Sequence, residues 1–156
     1  MILSFYKKGI TLVEILVVIS ILVIMVSIIV PSFNSMRERQ ALNNAVADVL
    51  TSLNKALSQS SSSLDSSEYG VHFQSDKVII FKGQVYSSLD STNEIINIIS
   101  PAYISNVTLN SVSGTSGEMY FNRFSNIASK TGTITVSTTN FSKIITIGAL
   151  GIISTN

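Results

Sequence analysis

From Ile15 to Val30, fourteen of sixteen residues are aliphatic or Met, broken only by Ser20 and Ser27. No helix face or strand face in such a run is polar enough to meet water, so it must lie in lipid, in a core, or against other apolar helices. Ile10 to Val30 is 21 residues, and a helix of that length spans about 30 Å, the thickness of a bilayer's hydrocarbon. Lys7 and Lys8 stand immediately before it, whereas Arg37, Glu38 and Arg39 beyond it largely cancel. That asymmetry holds the amino terminus in the cytoplasm and sends the rest across the membrane as a single pass. A secretory signal peptide would have a shorter apolar core and a small-x-small cleavage site, and Val30-Pro31-Ser32-Phe33 offers none. A plain anchor fits the length but explains neither Gly9 nor Glu14. A buried core helix would be unusual at a terminus with this flank.

The rest of the composition narrows the chemistry. Of 156 residues, 46% are apolar and only 12% charged, with mean hydropathy of +0.44 and a net charge of +1. A balance so close to neutral gives no electrostatic reason for a nucleic-acid binder. Without Cys there are no disulfides, iron–sulfur clusters, thiolate zinc sites or cysteine nucleophiles. One His leaves a His-based relay or metal site little to work with. No cofactor and no catalytic residue is expected.

Glu14 stands out because a carboxylate in an apolar span costs about 2.5–3.5 kcal/mol near mid-bilayer, so it tends to be paired and functional. It lies one helical turn after Ile10, near the cytoplasmic interface. A cut between Gly9 and Ile10 would create an α-amine at Ile10 able to neutralise Glu14, its own or a neighbour's. The same cut would strip Lys7 and Lys8, freeing the helix to leave the bilayer and pack against copies of itself.

Lys7-Lys8-Gly9-Ile10-Thr11-Leu12-Val13-Glu14, followed by the aliphatic run and Pro31, resembles the class III signal of type IV prepilins and type II secretion pseudopilins. The resemblance implies cleavage by a prepilin peptidase after Gly9, methylation of the new amino terminus at Ile10, an assembly carboxylate at Glu14 and a helix-bending proline at Pro31. Ile10 stands where Phe is the commonest residue. The partners implied are other pilin or pseudopilin subunits through the apolar helix, the peptidase, an inner-membrane assembly platform and the lipid bilayer.

Beyond Pro31, Leu42, Val46, Val49, Leu53 and Leu57 recur at spacings of three and four, with Ala45, Leu50 and Ala56 alongside. Asn43, Asn44, Asp48, Thr51 and Lys55 take the other face. This is one helix stripe, expected to pack on the sheet of its own domain. A helix from Ile10 to Ser58 would be about 73 Å long, more than a bilayer needs. Ser58 to Ser67 reads as a loop leaving it. Candidate strands follow at Tyr69–Gln74, Lys77–Lys82, Gly83–Tyr86, Glu94–Ile99, Tyr103–Asn110, Gly117–Asn122, Gly132–Ser137 and Lys143–Ile147, the first two as a hairpin about Ser75-Asp76.

The expected fold is α+β and pilin-like: a long amino-terminal helix, transmembrane in its first half and packed by its second half on an antiparallel sheet. The segments are a leader over 1–9, a transmembrane and assembly helix over 10–30, its amphipathic continuation over 31–58, and a β-rich extracytoplasmic domain over 59–156. Tyr69-Gly70-Val71-His72-Phe73 with Lys77-Val78-Ile79-Ile80-Phe81, and Lys143 to Gly148 with Gly151, resemble the GspH/FimT group of minor pilins and pseudopilins. No tight acidic cluster is present for calcium, and Asp65 and Glu68 read as solvated. No metal site is expected.

Other features carry less. His72 should point away from Val71 and Phe73, as a surface or lightly buried residue. The serines lack a nucleophile-elbow setting. Gly114-Thr115-Ser116-Gly117 is no phosphate loop, since no Lys follows. Asn106-Val107-Thr108 and Asn140-Phe141-Ser142 match a glycosylation triplet that is frequent by chance. From Ala41 onward six basic residues face seven acidic ones, so nucleic acid is not expected, although folding could gather Lys77, Lys82 and Lys143 on one surface. The expected function is a minor pilin or pseudopilin of a type IV pilus-like or type II secretion filament, not an enzyme. The alternative is a DNA-binding minor pilin serving uptake.

Overall fold

The computed structural model describes residues 9–156, without the side chains of residues 28–32. The chain forms two compact units, the first ending at Met36 and the second running from Arg37 to Asn156. One helix, α1 (Leu12–Ser61), begins in the first and ends in the second.

In the first unit the large apolar side chains from Leu12 to Val26 are all 50–79% exposed. The two serines inside the run do not disturb the helix. Ser20 and Ser27 donate their hydroxyls to the Leu16 and Val23 carbonyls, each at 2.8 Å, so neither presents an unmet donor to an apolar surrounding.

In the second unit the stripe read from the sequence is the buried one. Leu42, Ala45, Val46, Val49, Leu53 and Ala56 are buried, and Leu50 and Leu57 pack beside them. Asn43, Asn44, Thr51 and Lys55 are exposed and Asp48 is half-buried. The helix outlasts its expected end at Ser58 and stops at Ser61. Ser60 explains the difference: its buried Oγ accepts the Tyr69 N–H at 2.7 Å and donates to the Tyr69 carbonyl at 3.2 Å. A tertiary partner thus overrides poor helix propensity. A 3-10 turn at Leu64–Ser66 then leads into the strands.

The strands are β1 (Tyr69–Phe73), β2 (Lys77–Lys82), β3 (Glu94–Asn97), β4 (Tyr103–Leu109), β5 (Val112–Gly114), β6 (Gly117–Phe121), β7 (Gly132–Ser137), β8 (Ser142–Ile147) and β9 (Ile153–Thr155). They make two antiparallel sheets, in the orders β3-β2-β1-β6 and β5-β4-β7-β8-β9. The α+β arrangement of a long helix on an antiparallel sheet domain is therefore as expected, with the sheet divided in two. Alternation sends Val71 and Phe73 of β1, Val78 and Ile80 of β2, Ile104, Val107 and Leu109 of β4, Ile134 and Val136 of β7, and Ile145 and Ile147 of β8 into one core with the α1 stripe.

Two glycines are set by close approach. A Cβ on Gly132 would sit 1.8 Å from the Thr108 carbonyl oxygen of the neighbouring strand. One on Gly70 would sit 2.3 Å from Cζ of Phe81, whose ring fills that notch.

Gly83–Tyr86 is not the strand expected from its residues. Gly83 turns out of the ladder at φ +101° and donates its N–H to the Glu68 carbonyl at 2.8 Å. Tyr86 then folds back over the outer face of the four-stranded sheet, stacking on His72 with ring centroids 4.1 Å apart and meeting Phe81 edge-on at 5.8 Å.

Candidate functional site

The residues singled out by the sequence cluster where α1 begins. Gly9, Ile10 and Thr11 lie outside the helix, and the first intrahelical bond runs from the Ile15 N–H to the Thr11 carbonyl at 3.3 Å. Thr11 is thus the N-cap. Its Oγ1 accepts the Glu14 N–H at 3.3 Å, and Glu14 Oε2 accepts the Thr11 N–H at 3.4 Å. This reciprocal pair is a capping box, which meets two of the backbone donors that every helix start leaves open. Glu14 also supplies negative charge at the positive end of the helix dipole. The sequence reading placed Glu14 but missed its bond to Thr11. The Thr-x-x-Glu spacing ahead of an apolar run was the available signal.

Among the described residues, a Cβ on Gly9 would meet no atom within 4 Å. Ile10 is 73% exposed. Glu14 shares a shallow groove with Ile10, Ile15, Val18 and Ile19. Pro31 falls within the span of α1, but its side chain lies outside the described set, and Lys7 and Lys8 lie outside the described residues. Among the described residues no helix is long and apolar enough to cross a membrane.

Elsewhere the structure separates what the sequence left together. Lys82 of β2 bonds Asp65 at 3.2 Å, while Lys143 of β8, in the other sheet, reaches Asn43 at 3.0 Å. These two lysines therefore do not share a sheet surface. Asp65 also accepts the Tyr69 hydroxyl at 3.2 Å, and the bond and charge of Lys82 hold its carboxyl below the usual range. Among the described residues no group of three His, Cys, Asp or Glu could hold a metal.

His72 points away from Val71 and Phe73 and is partly buried, as expected. Its side chain is 14% exposed beneath Tyr86. The Gln74 amide nitrogen, which can only donate, lies 3.2 Å from Nε2, so the neutral ring carries its proton on Nδ1. Nδ1 faces Glu118 Oε2 at 3.6 Å, beyond a hydrogen bond. Burial lowers the His72 pKa, and the Glu118 carboxylate opposes that shift without cancelling it.

Residues 4–30 match the family model for the prokaryotic N-terminal methylation motif, a type IV prepilin-like signal. No curated protein and no solved structure was found to match the chain. The matched segment contains Gly9, Ile10, Thr11, Glu14 and the start of the apolar run. Such a motif is a prepilin-type signal anchor, consistent with membrane insertion, and it supports a type IV pilin-like or pseudopilin subunit, a structural role rather than an enzymatic one.

Proposed function

We propose that this chain is a minor pilin or pseudopilin, most like the GspH/FimT group, and a structural subunit of a type IV pilus-like or type II secretion filament. The observation that carries the reading is the methylation-motif match over residues 4–30, which runs into the first part of a helix whose later part packs with a β domain. The precursor sits in the cytoplasmic membrane with its amino terminus inside and its β domain outside. Prepilin peptidase cuts between Gly9 and Ile10, releasing Lys7 and Lys8 with the leader, and the new terminus is methylated at Ile10.

The exposed apolar sleeve of Leu12 to Val26 supports the next step. Side chains half-open on every side of a helix are stable in lipid and equally so among similar helices, because neither surrounding exposes them to water. Glu14 then meets a terminal amine, its own or that of an adjacent subunit, and Pro31 lets the helix adjust as the subunits pack. The assembly platform in the inner membrane and the neighbouring subunits are the partners.

The test is the intact mass and amino-terminal sequence of the protein from its host's membranes. A chain beginning at Ile10, with or without an added methyl, supports the reading. A chain still beginning at Met1 in a host with active prepilin peptidase overturns it and leaves a plain anchor.

A further inference from the structure

We propose that Thr11 is a positioning residue for the cut between Gly9 and Ile10: as the N-cap of α1, it holds the scissile peptide outside the helix. The inference rests on the processing reading above and adds to it a residue that does not take part in the bond broken.

Hydrolysis adds water to the Gly9 carbonyl carbon, breaks the Gly9–Ile10 C–N bond and leaves the proton on the Ile10 amine. A peptidase must therefore reach one face of that carbonyl, its oxygen and the leaving nitrogen of Ile10. In a continued helix the Gly9 carbonyl would accept the Val13 N–H, and the peptide would be wound into a turn with its neighbours stacked about it. Here that does not happen. The helix starts at Leu12, Gly9 to Thr11 are non-helical, and the first helical bond ends on the Thr11 carbonyl.

Two features set this boundary from opposite sides of Ile10. On the carboxy side, the Thr11 hydroxyl and the Glu14 carboxylate close the reciprocal cap, a geometry available only where the chain enters a helix. On the amino side, Gly9 is the poorest helix former after Pro, although no described residue crowds it. Without the cap, nothing on the carboxy side would oppose extension of α1 through Ile10. An Ala at position 11 would favour extension, since Ala has the best helix propensity and is a poor N-cap. Serine would keep the hydroxyl and so keep the boundary.

The experiment follows cleavage of the full-length membrane-inserted precursor by prepilin peptidase, comparing initial rates for the wild type, Thr11→Ala, Thr11→Ser and Glu14→Gln. Amide exchange at Val13, whose N–H would bond the Gly9 carbonyl only in an extended helix, reports the helix boundary in detergent micelles. Thr11→Ala is expected to be cut about threefold or more slowly, within the range a lost N-cap gives, with its Val13 amide newly protected by the Gly9 carbonyl. Thr11→Ser is expected to recover most of the rate. Glu14→Gln retains an oxygen that can accept the Thr11 N–H and is expected to be cut faster than Thr11→Ala, whatever its effect on assembly.

A Thr11→Ala precursor cut at the wild-type rate, or a Thr11→Ser precursor as slow as Thr11→Ala, overturns this inference while the processing reading stands. A wild-type precursor that is not cut overturns both.

Discussion

The two parts of α1 use similar residues in opposite ways. Leu22 is 54% exposed and its apolar neighbours are open on every side, whereas Val49 and Leu53 further along are fully buried. The later part spends its apolar residues on one stripe, because a core of strands from both sheets waits on that side. The earlier part has no polar face, and among the described residues it has no core to meet. That contrast separates a segment built for an external apolar environment from one built to fold a domain.

The sharpest way to break the comparison is to shorten a leucine in each part. Leu53→Ala removes a side chain from the shared core, and chemical denaturation of the β domain should show a loss of about 2–5 kcal/mol. Leu22→Ala should leave that unfolding transition in place. An equal loss in both variants would show that the first part contributes to the domain's stability after all.

Ser60 comes next. It belongs to the helix end that its composition argued against, and its hydroxyl makes two bonds to the Tyr69 backbone. Ser60→Ala leaves the buried Tyr69 N–H without that acceptor and should cost about 1–3 kcal/mol in the same denaturation measurement. A change near zero would mean that the helix end is held by its packing alone.

These two positions also show what the sequence could and could not disclose. The Leu53 stripe was legible because a helix repeats its faces every three or four residues, and the β1–β2 hairpin because its strands are local. The division into two sheets was not legible: β1 lies beside β6, some fifty residues away, and no local pattern encodes that pairing. β9 at Ile153–Thr155, which gains its partner only from β8, and β5 are both too short to announce themselves. Ser60 was hidden for the same reason, since its partner follows a turn. The carboxylate at Glu14 was legible as a costly charge in an apolar run, and that cost drew attention from the Thr11 cap beside it.

A smaller effect should appear with pH. Burial lowers the His72 pKa below its usual value of 6.5, so at mildly acidic pH the unfolded chain binds a proton that the folded chain resists. Folding stability is then complete above the unfolded value and falls as pH drops below about 6.5 towards the folded one. Titrating stability between pH 7.5 and 5 should show this decline (roughly the window set by the unfolded value), and it should be reduced in His72→Gln. Asp65, held below its usual range by Lys82, responds in the same direction but lower on the scale: its stabilisation is present above the unfolded carboxyl value and lost as pH falls through the folded one. A profile that rises on acidification through 6.5 would mean that Glu118 outweighs burial at His72.

The smallest effect belongs to Lys55 and Glu94, which tie the exposed face of α1 to the edge strand β3. Their charged atoms lie 2.6 Å apart, yet the side chains remain 43% and 48% exposed. Water competes for both charges, and two long side chains must be held in one arrangement, so the pair should contribute only about 0–1 kcal/mol. Lys55→Ala, Glu94→Ala and the double variant form a cycle that isolates the coupling from the other changes each substitution makes. The coupling should shrink further in high salt, where exposed charges are screened. A coupling above about 2 kcal/mol that persists in salt would place the pair well outside the exposed class, and would mean that β3 is fastened to the helix by charge rather than by Ile96, its apolar contact with the core.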